Sequence, residues 1–281
     1  MTDDERALVL GGGGLTGVGW LVGIIAGLAD IGVDLRRNEL VVGTSCGAIV
    51  GAHLAWNADP LELYDHVVAT ASRGPARLLT AQAMAELGSL IAEGQNQQLA
   101  RARVGRTALT AKALADSAEL PAGVSALCPF ETWPERALRL SAVDADNGEF
   151  VTLEKSYGVS LRDAIIASCA LPFVYPPAQV ANRRWIDGFI RSPANVDLAD
   201  KCQRIVVLAP MAQGFSPAGA VPDQVHEIRE RTGAAVAMVV ADESVEAVNV
   251  NPMDPAHLPA VAEAGRRQAA SVAGEIAEVW A

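Results

Sequence analysis

Two short apolar runs, each ending directly in a glycine-bearing turn and followed by a long apolar stretch, constrain this chain more than any other feature. The first is Arg6-Ala-Leu-Val-Leu10, running into Gly11-Gly-Gly-Gly14. The second is Glu39-Leu-Val-Val42, running into Gly43-Thr-Ser-Cys-Gly47. An apolar run of four or five residues bounded by turn signals reads as a strand buried on both faces. Leu15 to Ile31, stopped by Gly32, and Cys46 to Trp56 read as the helices that follow. Strand, helix, strand, helix with uniformly apolar strands predicts an α/β fold: a largely parallel sheet covered by helices on both faces.

The same stretches raise a membrane question, because Gly11–Ala29 and Leu40–Ala58 each run 19 residues without a formal charge. Four consecutive glycines open the first and Gly43–Gly47 breaks the second, so both read as a strand end, a turn and a buried helix. The leading Met1-Thr-Asp-Asp-Glu5 is acidic, the wrong sign for a secretory signal. The net charge of −11 argues against nonspecific nucleic-acid binding, which runs on phosphate neutralisation. With 51% hydrophobic residues among 281, the chain has ample material for a core and is not a disordered one. Cys46, Cys128, Cys169 and Cys202 are far apart and form no CxxC. They predict free thiols in a reducing, cytoplasmic setting, with neither a zinc site nor a disulfide framework.

Further along, residues 59–126 read as helical with several breaks. Arg136–Val143 and Glu149–Leu153 alternate across Asp144-Ala-Asp-Asn-Gly148 and read as a hairpin. Ser160 opens a helix that ends before Pro172, and Gln179-Val180 with Arg184-Trp-Ile186 form a second strand pair. Ile205–Leu208 is a buried strand, and the remainder reads as helical, interrupted around Asn251–Pro255. No repeat and no linker composition divides the chain, so residues 1–281 are expected to form one domain.

Gly12-Gly13-Gly14-Leu15-Thr16-Gly17 satisfies G-x-G-x-x-G between a strand and a helix. Such a loop aims free N–H groups at negative charge. One reading is a dinucleotide pyrophosphate site, NAD or NADP on a Rossmann fold. That reading also wants an acid at the end of the next strand. Here the strand ends Val42-Gly43-Thr44-Ser45, and Asp34 precedes it. A second reading is a turn that only permits close helix–strand packing. The third is an oxyanion hole, and it depends on a nearby nucleophile.

Gly43-Thr44-Ser45-Cys46-Gly47 supplies one. It is G-x-S-x-G between a buried strand and a helix, the context in which the serine sits exposed on a strained turn. A serine needs a base. Of the four histidines, His53 leaves the elbow along a buried helix, and His66, His226 and His257 have no strand-end position facing Ser45. Asp187 ends the apolar strand Arg184-Trp-Ile-Asp187 and is followed by Gly188. It reads either as an acid at a strand tip or as an Asp-Gly hairpin turn.

Glycine loop, early G-x-S-x-G and later Asp-Gly, in that order, resemble the patatin-like phospholipases. The resemblance extends to Ser160–Pro172, to Tyr175-Pro-Pro177 and to Asp187–Asn195, and covers about residues 6 to 210. It implies a sheet sandwiched between helices, with the 59–126 segment as a helical cap. It implies hydrolysis of lipid acyl esters by a Ser45–Asp187 dyad, with no cofactor and no metal in the catalytic pair. Gly12, Gly13 and Gly14 then supply oxyanion N–H groups, and Gly17, Gly43, Gly47 and Gly188 support the turns. Two positions depart from the family. Thr16 stands where an arginine or lysine is usual, and Phe189 where a small residue is usual, so its ring is expected either to narrow the site or to tilt Asp187. The expected partner is an acyl lipid or another ester. Arg73, Arg77, Arg101, Arg103, Arg106 and Lys112, against Glu86 and Glu93, give the cap a basic patch. Such a patch reads either as a contact for lipid headgroups at a membrane surface or as a solvated helix face. The competing functions are an inactive lipid- or protein-binding module on the same scaffold and, third, the NAD(P)-binding protein.

Overall fold

The structure is a computed structural model that describes residues 5–71, 76–78, 80–92, 96–215, 219–249 and 251–281. At its centre, β1 (Arg6–Leu10) and β2 (Leu40–Gly43) run parallel, with Val9 opposite Val42 and Leu10 opposite Gly43. On the far edge of β1 lie β7 (Arg204–Ala209) and then β8 (Ala235–Val240), both parallel to it. On the other side β2 pairs parallel with β3 (Ala137–Asp144). The antiparallel part consists of β4 (Phe150–Leu153), β5 (Ala178–Val180) and β6 (Arg183–Asp187). Among the described residues these eight strands form one sheet of order β5-β6-β3-β2-β1-β7-β8, with β4 on β3.

Alternate residues of the central strands feed two cores. Leu8, Leu10 and Val41 pack under α1 (Gly14–Asp30), α2 (Cys46–Ala55) and α10 (Leu258–Trp280). Ala7, Val9, Leu40 and Val42 pack against α8 (Val221–Thr232) on the opposite face. This is why the strands read as unbroken apolar runs: both faces are covered.

The charge-free Gly11–Ala29 run becomes the buried helix α1, held against α10 by backbone proximity. Gly19, Gly23 and Gly27 recur every fourth residue, and a Cβ at each would collide with Leu258, the Ala262 carbonyl and the Arg266 carbonyl in turn. Trp20, buried in this contact, donates its Nε1–H to Gln268 Oε1 at 2.8 Å. No described helix is long and apolar enough to cross a membrane.

Two expectations change. Residues after Leu208 are not all helical, because Ala235–Val240 is the edge strand β8. Ala-Val-Ala-Met-Val-Val has no alternation, so its period is ambiguous. The left-handed Gly233 (φ 70°) stops α8, and six-residue pairing along β7 decides for strand. Nor is residues 59–126 all cap. α3 (Pro60–Ala71) joins the α1/α10 layer, where Arg266 lies over the Tyr64 ring at 5.0 Å. The part above the site is α4 (Ala81–Ala92), α5 (Gln97–Thr110) and α6 (Glu119–Leu127). Leu87, Ile91 and Val104 of α4 and α5 pack on Val143 and Ile186 at the ends of β3 and β6.

Candidate active site

The register on β3 brings the site together. Leu140 is partnered by Gly43 on one edge and by Leu153 on the other. Ala142, two residues on, is partnered by Val151 and by Asp187. β6 therefore occupies the edge that β2 vacates, entering from the opposite direction. Asp187 is the last residue of β6, so it stops beside the turn where β2 ends, about 7 Å further along β3.

At that turn Ser45 is held at φ 54°, ψ −122°, a region costly for a residue with a side chain. Its surroundings fix it there. A Cβ on Gly47 would strike the Leu10 carbonyl, so only glycine lets α2 start this close to β1. The Ser45 N–H donates to Ser168 Oγ at 3.0 Å, and the Ser45 carbonyl accepts from Cys169 Sγ at 3.2 Å. Both partners stand at the end of α7 (Leu161–Ser168), which is the structural reason for the Ser160–Pro172 stretch.

Asp187 is fully buried. Its Oδ1 accepts the Phe189 N–H at 2.8 Å. Its Oδ2 has no well-aligned partner, while the Ser45 hydroxyl is the side chain close enough to favour its charged form. Burial outweighs both contacts and pushes the carboxyl up from 3.8 to about 7. A buried polar frame holds this turn to the elbow. Thr44 Oγ1 accepts from Ser141 Oγ at 3.0 Å and from Asn195 Nδ2 at 3.1 Å. Asn195, left-handed at φ 51°, also donates to the carbonyls of Ser192 and Gly188. A Cβ on Gly188 would collide with Ser141. Sequence reasoning gave no role to Thr44, Ser141, Ser168 or Asn195. The available signal was a polar residue in an otherwise apolar strand or helix end, as at Ser141.

The three loop glycines separate. The Gly12 N–H is already donated to Pro193 O at 2.7 Å, so it is not a free oxyanion donor. A Cβ there would stand 2.7 Å from Phe189 Cδ2 and 3.1 Å from Ser45 Cβ, which explains the glycine by close approach instead. Gly14 donates to no backbone acceptor among the described residues and is left-handed at φ 70°, while the Gly13 N–H lies beside the Cys46 thiol, close enough to favour its charged form. Thr16 is buried: its N–H donates to Pro252 O at 3.0 Å and its hydroxyl to Asn249 Oδ1 at 2.8 Å. Asn249, Pro252 and Met253 thus sit over the start of α1.

Two cavities open on Ser45. The first, about 90 Å³, runs under α6 and is lined by Val18, Ile49, Leu120, Gly123, Val124, Leu127 and Tyr175. The second, about 150 Å³, holds Asp187, Phe189, Met84, Met211 and Phe215. Gly14, Leu171 and Met253 line both. Phe189 lines this second cavity, where its ring meets Phe215 edge-on at 5.6 Å.

No histidine lines either cavity. His53 donates its Nε2–H to Leu127 O at 2.8 Å and packs edge-on to Phe130, and burial lowers its pKa. The His66 ring lies tilted to that of His53 at 6.2 Å, His226 is exposed on α8, and His257 faces Asp254 at 3.8 Å. The four cysteines are free and buried. Of the basic patch, Arg77 pairs with Glu119, while Arg101 and Arg103 donate to the carbonyls of Gly148 and Leu90. Arg106 and Lys112 are exposed, and Arg73 and Glu93 lie outside the described residues.

The chain resembles several known proteins. It is 44% identical to lysophospholipase NTE1 of Phaeosphaeria nodorum over 57 residues, which is 20% of this chain and 4% of that protein. VipD of Legionella pneumophila superposes over 97% of this chain and 67% of its own, at 13% identity and a TM-score of 0.50, a likeness of fold. ExoU of Pseudomonas aeruginosa, solved with SpcU, gives 99% and 53% coverage, 15% identity and a TM-score of 0.42. The profile of the patatin-like phospholipases matches residues 8–200. That span runs from β1 past Asn195, so it takes in the glycine loop, the serine elbow, Asp187 and the polar frame between them, and the chain belongs to the patatin-like phospholipase family.

Proposed function

We propose that this protein is a serine hydrolase of lipid acyl esters, with Ser45 as nucleophile and Asp187 as its base. The observation that carries the reading is a fully buried carboxylate ending β6 at the serine elbow, with one oxygen unpaired and the Ser45 hydroxyl close enough to favour its charged form. Asp187 takes the hydroxyl proton as Ser45 Oγ bonds to the acyl carbon. The carbonyl oxygen becomes an oxyanion, and Gly13 and Gly14 supply N–H groups to it at the start of α1. Each such donor is typically worth about 10²–10³ in rate. Collapse breaks the bond to the alcohol oxygen, which receives the proton from Asp187. Water then attacks the acyl-enzyme with Asp187 again as base, releasing the acid and restoring Ser45.

The test is labelling with a fluorophosphonate probe, located by peptide mass, beside hydrolysis of short p-nitrophenyl esters. An adduct on Ser45 is expected, and Ser45→Ala should lose turnover by up to about 10⁶ while remaining folded. A folded chain that neither labels nor hydrolyses is instead a binding module on the hydrolase scaffold. Near-normal turnover by Ser45→Ala removes the serine from the mechanism.

A further inference from the structure

The two cavities that meet at Ser45 differ in one respect that orders the substrate: Asp187 lines only the second. On the reading of Ser45 and Asp187 given above, the proton that Asp187 takes from Ser45 must pass to the departing alcohol oxygen. That oxygen therefore leaves on the Asp187 side. The acyl chain must point the other way, into the cavity under α6. We infer that the first cavity is the acyl arm, that the second is the alcohol arm, and that the preferred substrate is an ester whose alcohol half is apolar and uncharged.

The second step rests on what lines the alcohol arm. Apart from Ser45 and Asp187 its described side chains are Met84, Leu171, Phe189, Met211, Phe215 and residues of the Pro252-Met253 turn. Among the described residues no arginine, lysine or histidine lines either cavity. Arg77, whose N–H donates to Met253 O, has its guanidinium paired with Glu119. The amide of Thr16 at the first turn of α1 is taken by Pro252 O, so that amide is not open to a phosphate. A phosphate a few bonds from the ester oxygen would enter an apolar arm beside a buried carboxylate, with no cation among the described residues lining it. An unpaired charge in such surroundings is strongly disfavoured. A glyceride or a fatty-alcohol ester has no such charge and gains by burying methylenes, about threefold to fourfold in affinity for each.

Both arms are limited in size. The space open to a water-sized group is about 90 Å³ in the acyl arm and about 150 Å³ in the alcohol arm. Gly123 lines the acyl arm. A Cβ placed there meets nothing within 4 Å, so a larger side chain is accommodated beside the cavity without disturbing the backbone. Met84, on α4, holds the corresponding position on the alcohol arm.

The experiment uses the full chain and three sets of esters, followed by acid release. The first set is dihexanoylglycerol against dihexanoyl-phosphatidylcholine and dihexanoyl-phosphatidylglycerol. The neutral glyceride is expected to exceed both in kcat/KM by at least about tenfold. Equal or greater turnover of either phospholipid overturns the inference. The other sets are ethyl esters of lengthening acids and acetates of lengthening alcohols. For Gly123→Phe, the octanoate-to-acetate ratio among ethyl esters should fall at least about tenfold, with the alcohol ladder moved less than about threefold. For Met84→Trp, the alcohol ladder should shorten and the acyl ladder hold. Exchanged effects, or effects on neither ladder, overturn the assignment of the arms. Fluorophosphonate labelling of Ser45 runs in parallel. A chain that labels and hydrolyses but prefers phospholipids refutes this inference alone, whereas one that does neither refutes the hydrolase reading and this inference with it.

Discussion

Asp187 faces two opposed demands. Catalysis needs it ionised, and its buried position favours the neutral acid, holding its pKa at about 7. An aspartate near its ordinary 3.8 would keep working well into acid, where a histidine base fails. The raised value erases that distinction, so kcat/KM should climb through about pH 7 as Asp187 ionises, in a histidine-like profile. Substitution separates the two. His53→Gln, His66→Gln, His226→Gln and His257→Gln should each keep at least about a tenth of kcat, whereas Asp187→Asn should lose at least about 10³. A folded but dead histidine variant beside an active Asp187→Asn would make this a Ser–His hydrolase. The same residue affects stability with a definite sign. Between 3.8 and about 7 the folded carboxyl keeps a proton that the unfolded chain has released. Its contribution to stability therefore falls as pH rises through that window. Above pH 7 the buried charge costs the fold on the order of 4 kcal/mol. Asp187→Asn should melt higher than wild type at pH 8.5, with a smaller gap at pH 5. A gap that does not change with pH would contradict the raised pKa.

Among the elements, α1 and α10 depend on the absence of side chains. The Gly19-Gly23-Gly27 stripe meets α10 backbone, so a methyl group there displaces a helix rather than a flexible tip. Gly23→Ala should destabilise by about 1–3 kcal/mol, as overpacking of a tight contact does. Gly274, also on α10, faces open space and is the matched control. Gly274→Ala should stabilise by about 0.5–1 kcal/mol through helix propensity alone. Urea midpoints at unchanged m-value read both, and shifts of the same sign would show that the stripe is not packed as described. The element that resisted reading was β8. Its composition suits a helix or a strand, and the choice was made by the open edge of β7.

For the whole molecule, the dinucleotide reading of the glycine loop becomes a measurable alternative. In a Rossmann site the loop and first-turn N–H groups are open to a pyrophosphate. Here Pro193 O holds the Gly12 N–H and Pro252 O holds that of Thr16. A cofactor at 100 times its Kd would stabilise the fold by about 2.7 kcal/mol. Millimolar NAD(H) or NADP(H) should leave the melting temperature unchanged, and a clear upward shift would restore the dinucleotide site.

The central strands and their helices, the elbow at Ser45 and the pairing of β3 with β4 were legible in the sequence because they rest on local signals: apolar runs, glycine punctuation and alternation. Ser45 as a nucleophile candidate and Asp187 as a strand-tip acid were legible for the same reason. Their meeting was not. It depends on β6 taking the edge of β3 that β2 leaves, a register between residues 144 positions apart in the chain, as counted from Gly43 to Asp187. Tertiary packing likewise decided that Gly12 serves close approach rather than donation, that α3 belongs to the α1/α10 layer, and that Thr16 is covered by Pro252. Each of these turns on which buried N–H finds which carbonyl and which face finds cover, and a single chain segment holds no record of its distant neighbour.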